Sequence, residues 1–170
     1  NLDRAATKKE IDIMKEQLEL ALCQGSIGLS TGLFYEPANA APTAEVVELA
    51  KVLESYGGIY ATHMRDEADF VIESVEEAIR IGSEAKVPII ISHHKCQGHH
   101  NHGKSVVTLQ AMAEARKTQS IALDIYPYAA SSTVLNEASV LRAEKTIVTW
   151  SDPYPEVSGR DLKSIAREFG

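Results

Sequence analysis

The sequence predicts an α/β protein built on a parallel sheet, and three observations carry that expectation. Short apolar segments begin near residues 27, 59, 88 and 121, and a helix-like stretch separates each from the next. The spacing repeats at roughly 30 residues, the length of one strand–helix unit. The strand segments lack clean polar alternation, which is the pattern of a parallel sheet covered on both faces. Such a repeat suits either a doubly wound sheet or a (β/α)8 barrel, which differ in closure and not in pattern.

The elements follow in order. Thr7-Lys8-Lys9-Glu10 has the spacing of a capping box, in which the Thr hydroxyl and the Glu carboxylate satisfy two backbone N–H groups reciprocally. Ile11, Met14, Leu18, Ala21 and Leu22 then share one helical face, and Gly25 is a stop. Ile27-Gly28-Leu29-Ser30 reads as a strand and 31–42 as a loop punctuated by Gly32, Pro37 and Pro42. Thr43 is the expected cap of a second helix with Val46, Val47, Ala50 and Leu53 inward, ended by Gly57-Gly58. Residues 59–63 form the next strand. Asp69 opens a third helix, with Ile72, Val75, Ala78 and Ile79 on its buried side. A strand at 88–92, a polar and mobile loop at 93–104, a helix near 105–117 and a strand at 121–125 complete the rhythm. Beyond Tyr128 the rhythm fails. That stretch reads as irregular chain, a short strand near 145–150, a Pro-rich turn and a helix near 160–169. Residues 1–128 are therefore expected to be part of a barrel domain and 129–170 an insertion or lid. Four units make half a barrel, and a barrel usually takes about 250 residues, so a 170-residue chain reads as part of a larger one.

Composition narrows the classes. The chain is 44% apolar and 24% charged, as in ordinary globular proteins. No apolar run approaches the ~18 residues that span a bilayer, so a membrane is not expected as a partner. A net charge of −7 without a Lys/Arg stripe argues against nucleic acid. The first residues, Asn1-Leu2-Asp3-Arg4, resemble neither an initiator methionine nor a signal peptide. Two cysteines, Cys23 and Cys96, make no disulfide framework and fit a cytoplasmic setting. Cys23, in a helical run, reads as a small buried apolar side chain.

Polar residues gather where strands end: Ser30, Thr31 and Tyr35; His63, Arg65, Asp66 and Glu67; His93, His94 and Lys95; Asp124, Tyr126 and Tyr128. In parallel α/β folds those ends share one mouth, where substrates bind. His63 and His93 at neighbouring strand ends suit a metal, because neutral imidazole is a common zinc ligand and a strand end fixes its direction. By position alone, a hydrogen-bonded histidine pair fits equally well. Alternation lets only one of His93 and His94 face the mouth, and phase with Ile89 and Ile91 selects His93. Cys96 with His99, His100 and His102 lacks the paired spacing of a structural zinc site. Lys95 is either a solvated cation or an anchor for a carboxylate, and Tyr126 either packs or donates to a developing oxyanion. Arg65-Asp66-Glu67 is either a surface cluster or a set that orients His63.

Four ordered segments bring a family into view. They are Gly28-Leu29-Ser30-Thr31-Gly32-Leu33-Phe34-Tyr35, Ala61-Thr62-His63-Met64-Arg65-Asp66-Glu67, Ile91-Ser92-His93-His94-Lys95 and Asp124-Ile125-Tyr126-Pro127-Tyr128. Together they resemble the N-acyl-D-amino-acid deacylases, or D-aminoacylases, of the amidohydrolase superfamily. Trp150-Ser151-Asp152-Pro153 and Gly159-Arg160-Asp161-Leu162 resemble that family's lid insertion. The resemblance implies a zinc-dependent (β/α)8 barrel of which this chain holds about the fourth to seventh strands. It implies His63 and His93 as zinc ligands, Lys95 and Tyr126 as groups that hold the substrate carboxylate or polarise the scissile carbonyl, and Tyr35 and Ser132 as further pocket contacts. His94 matches no ligand. The implied reaction hydrolyses an N-acyl-D-amino acid, a small-molecule partner, to a carboxylate and a free D-amino acid, with zinc as cofactor. The family's His-x-His pair, cysteine ligand and general-base aspartate fall outside this stretch, so the piece alone is expected to be inactive.

Two rivals remain. A hydantoinase- or dihydroorotase-like cyclic amidase shares the barrel but bridges two metals with a modified lysine on the fourth strand, and no lysine lies near Ser30. A barrel fragment acting as a binding or structural module is the non-catalytic alternative. Neither substrate side chain nor oligomeric state is legible.

Overall fold

The computed structural model describes residues 3–170, and the chain divides into two compact units, one running through Pro127 and the other Tyr128–Gly170. The first unit opens with helix α1 (Lys8–Cys23), whose capping box forms as the sequence suggests: Thr7 Oγ1 accepts from the Glu10 amide, and Glu10 Oε2 accepts from the Thr7 amide at 2.6 Å. Strand β1 (Gly28–Gly32) follows, then helix α2 (Thr43–Ala50), continued by a 3-10 turn to Tyr56. Next come β2 (Ile59–His63), α3 (Val71–Ala85), β3 (Ile89–Ile91), α4 (Lys104–Ala115) and β4 (Ile121–Leu123).

The four strands form one sheet in the order β1-β2-β3-β4, every pair parallel. Each helix carries the chain back so that consecutive strands lie side by side. The register places Tyr60 opposite Ile89 and Thr62 opposite Ile91. These residues line the face covered by helices and are at most 2% exposed, with Leu53, Val75 and Ile81 of the helix layer fully buried beside them. Gly82 lets α3 approach closely, since a Cβ there would run into the Ile89 side chain. Gly28 is required for a similar reason: a Cβ would meet the Ile59 carbonyl on the neighbouring strand.

The sheet departs from the expectation of cover on both faces. Ser30 and Ala122 are exposed and Ala61 and Ile90 only half-buried, so among the described residues the second face is partly open. Apolar strands alone do not say which segments cover them.

Several local expectations also change. Thr43 does not cap α2. Pro42 holds the cap position, and the Thr43 hydroxyl donates instead to Glu77 Oε1 on α3 at 2.8 Å. Asp69 does not open α3. The helix starts at Val71 after Phe70, and the preceding turn is closed by Asp66, whose Oδ1 accepts from the Ala68 and Phe70 amides. Cys23 is exposed, not buried, because the face of α1 that turns inward is the one carrying Leu22.

The second unit has helix α5 (Glu137–Arg142), where irregular chain was expected, then strand β5 (Ile147–Val148) paired antiparallel with β6 (Arg160–Asp161), and helix α6 (Leu162–Phe169). Asn136 caps α5 through a bond from the Ser139 amide, a signal the missing apolar periodicity obscured. No helix among the described residues is long and apolar enough to cross a membrane.

Candidate metal centre

His63 is the last residue of β2 and lies in phase with Ile59 and Ala61, opposite the helix-covered face. Its Nε2 is buried and has no hydrogen-bond partner, and the nearest carboxylate oxygen, Glu67 Oε2, is 3.8 Å away. A buried ring nitrogen left unpaired costs about 1–3 kcal/mol. Burial pushes the imidazole below its ordinary value, more than the Glu67 charge pulls it back, and the charges of His93 and Lys95 add to the lowering. The neutral ring keeps a lone pair, the form a metal takes. Rings enclose it: Phe34 and Tyr35 at 5.3 and 4.8 Å, and His93 at 4.5 Å between centroids.

His93 reaches His63 by a route that strand phase does not describe. Ile89 and Ile91 face the helices, so continued alternation would carry residue 93 with them. The strand ends at Ile91, and His93 adopts a left-handed φ of 40°, uncommon for a residue with a Cβ. Asp124 stabilises that turn, because its Oδ1 accepts from the His93 amide at 2.7 Å. His94 turns the other way. It is 8% exposed, its amide donates to the Asp124 carbonyl, and its Nε2 lies 2.9 Å from Thr108 Oγ1 on α4. Burial lowers the His94 pKa as well.

Glu67 completes the group. It is 2% exposed, and the nearest ligand atoms of His63, Glu67 and His93 lie within 4.8 Å of one another, the one such trio among the described residues. Read in sequence, Arg65-Asp66-Glu67 looked like a unit, but the three side chains separate. Arg65 forms a two-pronged pair with Glu77 and donates to the carbonyls of Asn39 and Ala41. Asp66 closes the turn before α3. Glu67 alone enters the cluster, and nothing in its local sequence distinguishes it from its neighbours.

Lys95 donates to Glu67 Oε1 at 2.6 Å, lies 2.9 Å from His93 Nδ1, and sits 5.5 Å from the centroid of the Tyr126 ring. Burial raises the Tyr126 pKa, so the phenol keeps its proton. Lys95, Tyr126, Tyr35, His63 and His93 thus gather at one end of the sheet. Ser132 belongs to the second unit, where it is exposed.

Cys96 and the later histidines form no metal group among the described residues. The segment expected to be a mobile loop carries a 3-10 turn at His99–Asn101, with Asn101 fully buried and donating to Asp69 Oδ1 and the Gln97 carbonyl. Buried amide bonds pin a segment whose composition is only polar.

The arrangement fits a zinc ion: two imidazole donors at one end of the sheet, one of them with a buried and unpaired nitrogen, beside an acidic neighbour. Zinc sites usually need at least three protein ligands, so further donors are required beyond the two imidazoles.

No family model matches the chain. It is 49% identical over all 170 residues to a D-aminoacylase of Alcaligenes xylosoxydans xylosoxydans, covering 35% of that protein. It is 45% identical over 168 residues to an N-acyl-D-aspartate deacylase of the same organism, covering 34%. Among solved structures, a D-aminoacylase described as defining a novel subset of amidohydrolases superposes over the whole chain with a TM-score of 0.95. An N-acyl-D-glutamate deacylase from Bordetella bronchiseptica, complexed with zinc and a phosphonate mimic of the tetrahedral intermediate, superposes with a TM-score of 0.96 at 39% identity. The chain spans about a third of the length of each of these proteins.

Proposed function

Because the chain is homologous along its whole length to the D-aminoacylases and related N-acyl-D-amino-acid deacylases, we propose that it supplies one side of the active site of a zinc-dependent N-acyl-D-amino-acid hydrolase. The observation that carries this reading is the His63–His93 pair, with ring centroids 4.5 Å apart at and just beyond the carboxyl ends of β2 and β3 and with His63 Nε2 buried and unpaired. On this reading β1 to β4 are the fourth to seventh strands of a (β/α)8 barrel, and the partly open face of the sheet turns toward its interior. Residues 1–128 belong to the barrel and 129–170 to a lid insertion. The exposed free thiol of Cys23 favours a reducing, cytoplasmic setting.

His63 and His93 hold the zinc, together with donors from strands outside this stretch. When bound, zinc supplies Lewis acidity that polarises an amide carbonyl and acidifies water. The Lys95 ammonium pairs with the substrate carboxylate and sets the substrate's position. The Tyr126 phenol, protonated at neutral pH, donates to the carbonyl oxygen as negative charge grows on it. Tyr35, packed on His63, closes one wall. The general base that accepts the water's proton lies outside the chain. Water adds across the amide C–N bond, giving a carboxylate and a free D-amino acid.

The test uses the full-length protein. Zinc content is measured, and hydrolysis of N-acetyl-D-amino acids with neutral and acidic side chains is compared with their L enantiomers and with hydantoins. Stoichiometric zinc with D-selective amide hydrolysis is expected. Zinc-bound protein that opens hydantoins, or hydrolyses no N-acyl-D-amino acid, would sink the reading.

A further inference from the structure

We propose that Glu67 is a positioning residue: its buried carboxylate holds the Lys95 ammonium beside His93 and Tyr126, aimed at an anionic group of the substrate. The substrate half of this statement rests on the deacylase reading above; the contact half does not.

Glu67 lies within ligand distance of the two histidines, yet its bonding suits a counter-ion better than a third ligand. Oε1 accepts from Lys95 at 2.6 Å and Oε2 accepts from the Gln97 side-chain amide at 2.8 Å. The Glu67 backbone carbonyl also accepts from the Gln97 amide at 2.6 Å. Both carboxylate oxygens are thus engaged by donors from the segment after β3, and a dication at Oε1 would meet the ammonium already there. With His93 Nδ1 also 2.9 Å from Glu67 Oε1, the contact between the segments following β2 and β3 is fixed at four points, through side chain and backbone alike.

A free lysine side chain carries about 2 kcal/mol of rotamer entropy, which binding must overcome. Glu67 removes much of that cost in advance by anchoring one of the three ammonium N–H groups. A second faces His93 Nδ1 at 2.9 Å, and the third remains for a ligand near Tyr126. Lys95 keeps a fifth of its side chain accessible while Glu67 keeps almost none, so the anchor is buried and the anchored group is reachable.

The experiment compares E67Q, E67D, K95M and E67Q/K95M in the zinc-loaded full-length protein. E67Q is expected to keep its zinc, raise KM for an N-acetyl-D-amino acid about tenfold and change kcat less. E67D, which keeps the charge, recovers part of that loss. Adding E67Q to K95M changes KM by less than about twofold, because the effect runs through Lys95. Independently of turnover, acetylation of Lys95 by an amine-reactive reagent, followed by mass spectrometry, speeds up in E67Q. Loss of zinc from folded E67Q, a lowered KM, additive effects in the double variant, or unchanged Lys95 labelling each overturns the proposal. Should E67Q alone fail to fold, the double variant leaves no unpaired charge and E67D keeps the carboxylate as a partner for Lys95, so labelling of Lys95 in E67D against the unaltered protein decides it. A wild-type protein without deacylase activity would refute the proposed reaction, while zinc content and Lys95 labelling would still report on Glu67.

Discussion

On the helix-covered face of the sheet, Tyr60, Ile89 and Ile91 are at most 1% exposed and lock against Leu53, Val75 and Ile81. At and just past the carboxyl ends of the same strands, His63 presents a buried nitrogen with no partner, His93 sits in a left-handed turn, and Glu67 is buried under a lysine. The first region gains free energy from every apolar group removed from water, about 1.5–3 kcal/mol for a large side chain. The second spends some of that gain on desolvated polar groups and an uncommon backbone angle. A rigid apolar layer beneath a poorly satisfied polar rim is how a fold holds ligands ready, and it implies that stability and metal affinity reside in different residues.

That separation can be broken in order of expected effect. His63→Ala or His93→Ala in the full-length protein should weaken zinc binding by at least about a hundredfold and abolish turnover. Thermal stability of the metal-free protein should change little. Metal analysis after dialysis, beside a melting curve, reads both. Leu53→Ala should do the reverse: a loss of about 2–4 kcal/mol of stability with zinc affinity of the folded protein unchanged. Denaturant titration with and without zinc measures the pair, and a large fall in affinity would merge the two regions.

His94→Ala sharpens the comparison, because His94 adjoins a proposed ligand but packs against α4. It should cost about 1–2 kcal/mol of stability through the lost bond to Thr108 and leave zinc stoichiometry intact. Zinc loss equal to that of His93→Ala would reverse the assignment. The smallest effect is expected at the surface. Lys15 and Lys51 hold the Glu48 carboxyl down to about 2. A depressed carboxyl stabilises the fold above its ordinary value of 4.5, and the contribution disappears as pH falls from there toward 2. After solvent screening this is worth no more than about 0.5 kcal/mol. Glu48→Gln should therefore shift stability slightly at pH 7 in low salt, and the difference should vanish in high salt or near pH 2.

Much of this architecture is legible before any coordinates. The inward stripe Val46, Val47, Ala50 and Leu53 is buried, β2 runs over residues 59–63 as read, and the Thr7–Glu10 capping box forms. These features depend on residues within one or two helical turns. Other features depend on residues far away in the chain. Thr43 prefers a distant carboxylate on α3 to its own helix end, and Asn101 pins a loop whose composition is merely polar. Glu67 is undistinguished until Lys95 and Gln97 fold over it.

The strand-end histidines show where the boundary falls. The sequence by itself determined that His63 and His93 close consecutive strand segments, because the strand–helix period follows from local hydrophobic pattern. Only the tertiary structure decided which atoms meet. Phase with Ile89 and Ile91 points to His93, yet strict alternation would turn it toward the helices with Ile91. Its actual direction comes from a left-handed turn held by Asp124, 31 residues later, while His94 is claimed by Thr108 on α4. Alternation is a property of the strand's own backbone and ends with it; past that point, side-chain direction is set by whichever distant groups satisfy the exposed backbone and ring nitrogens.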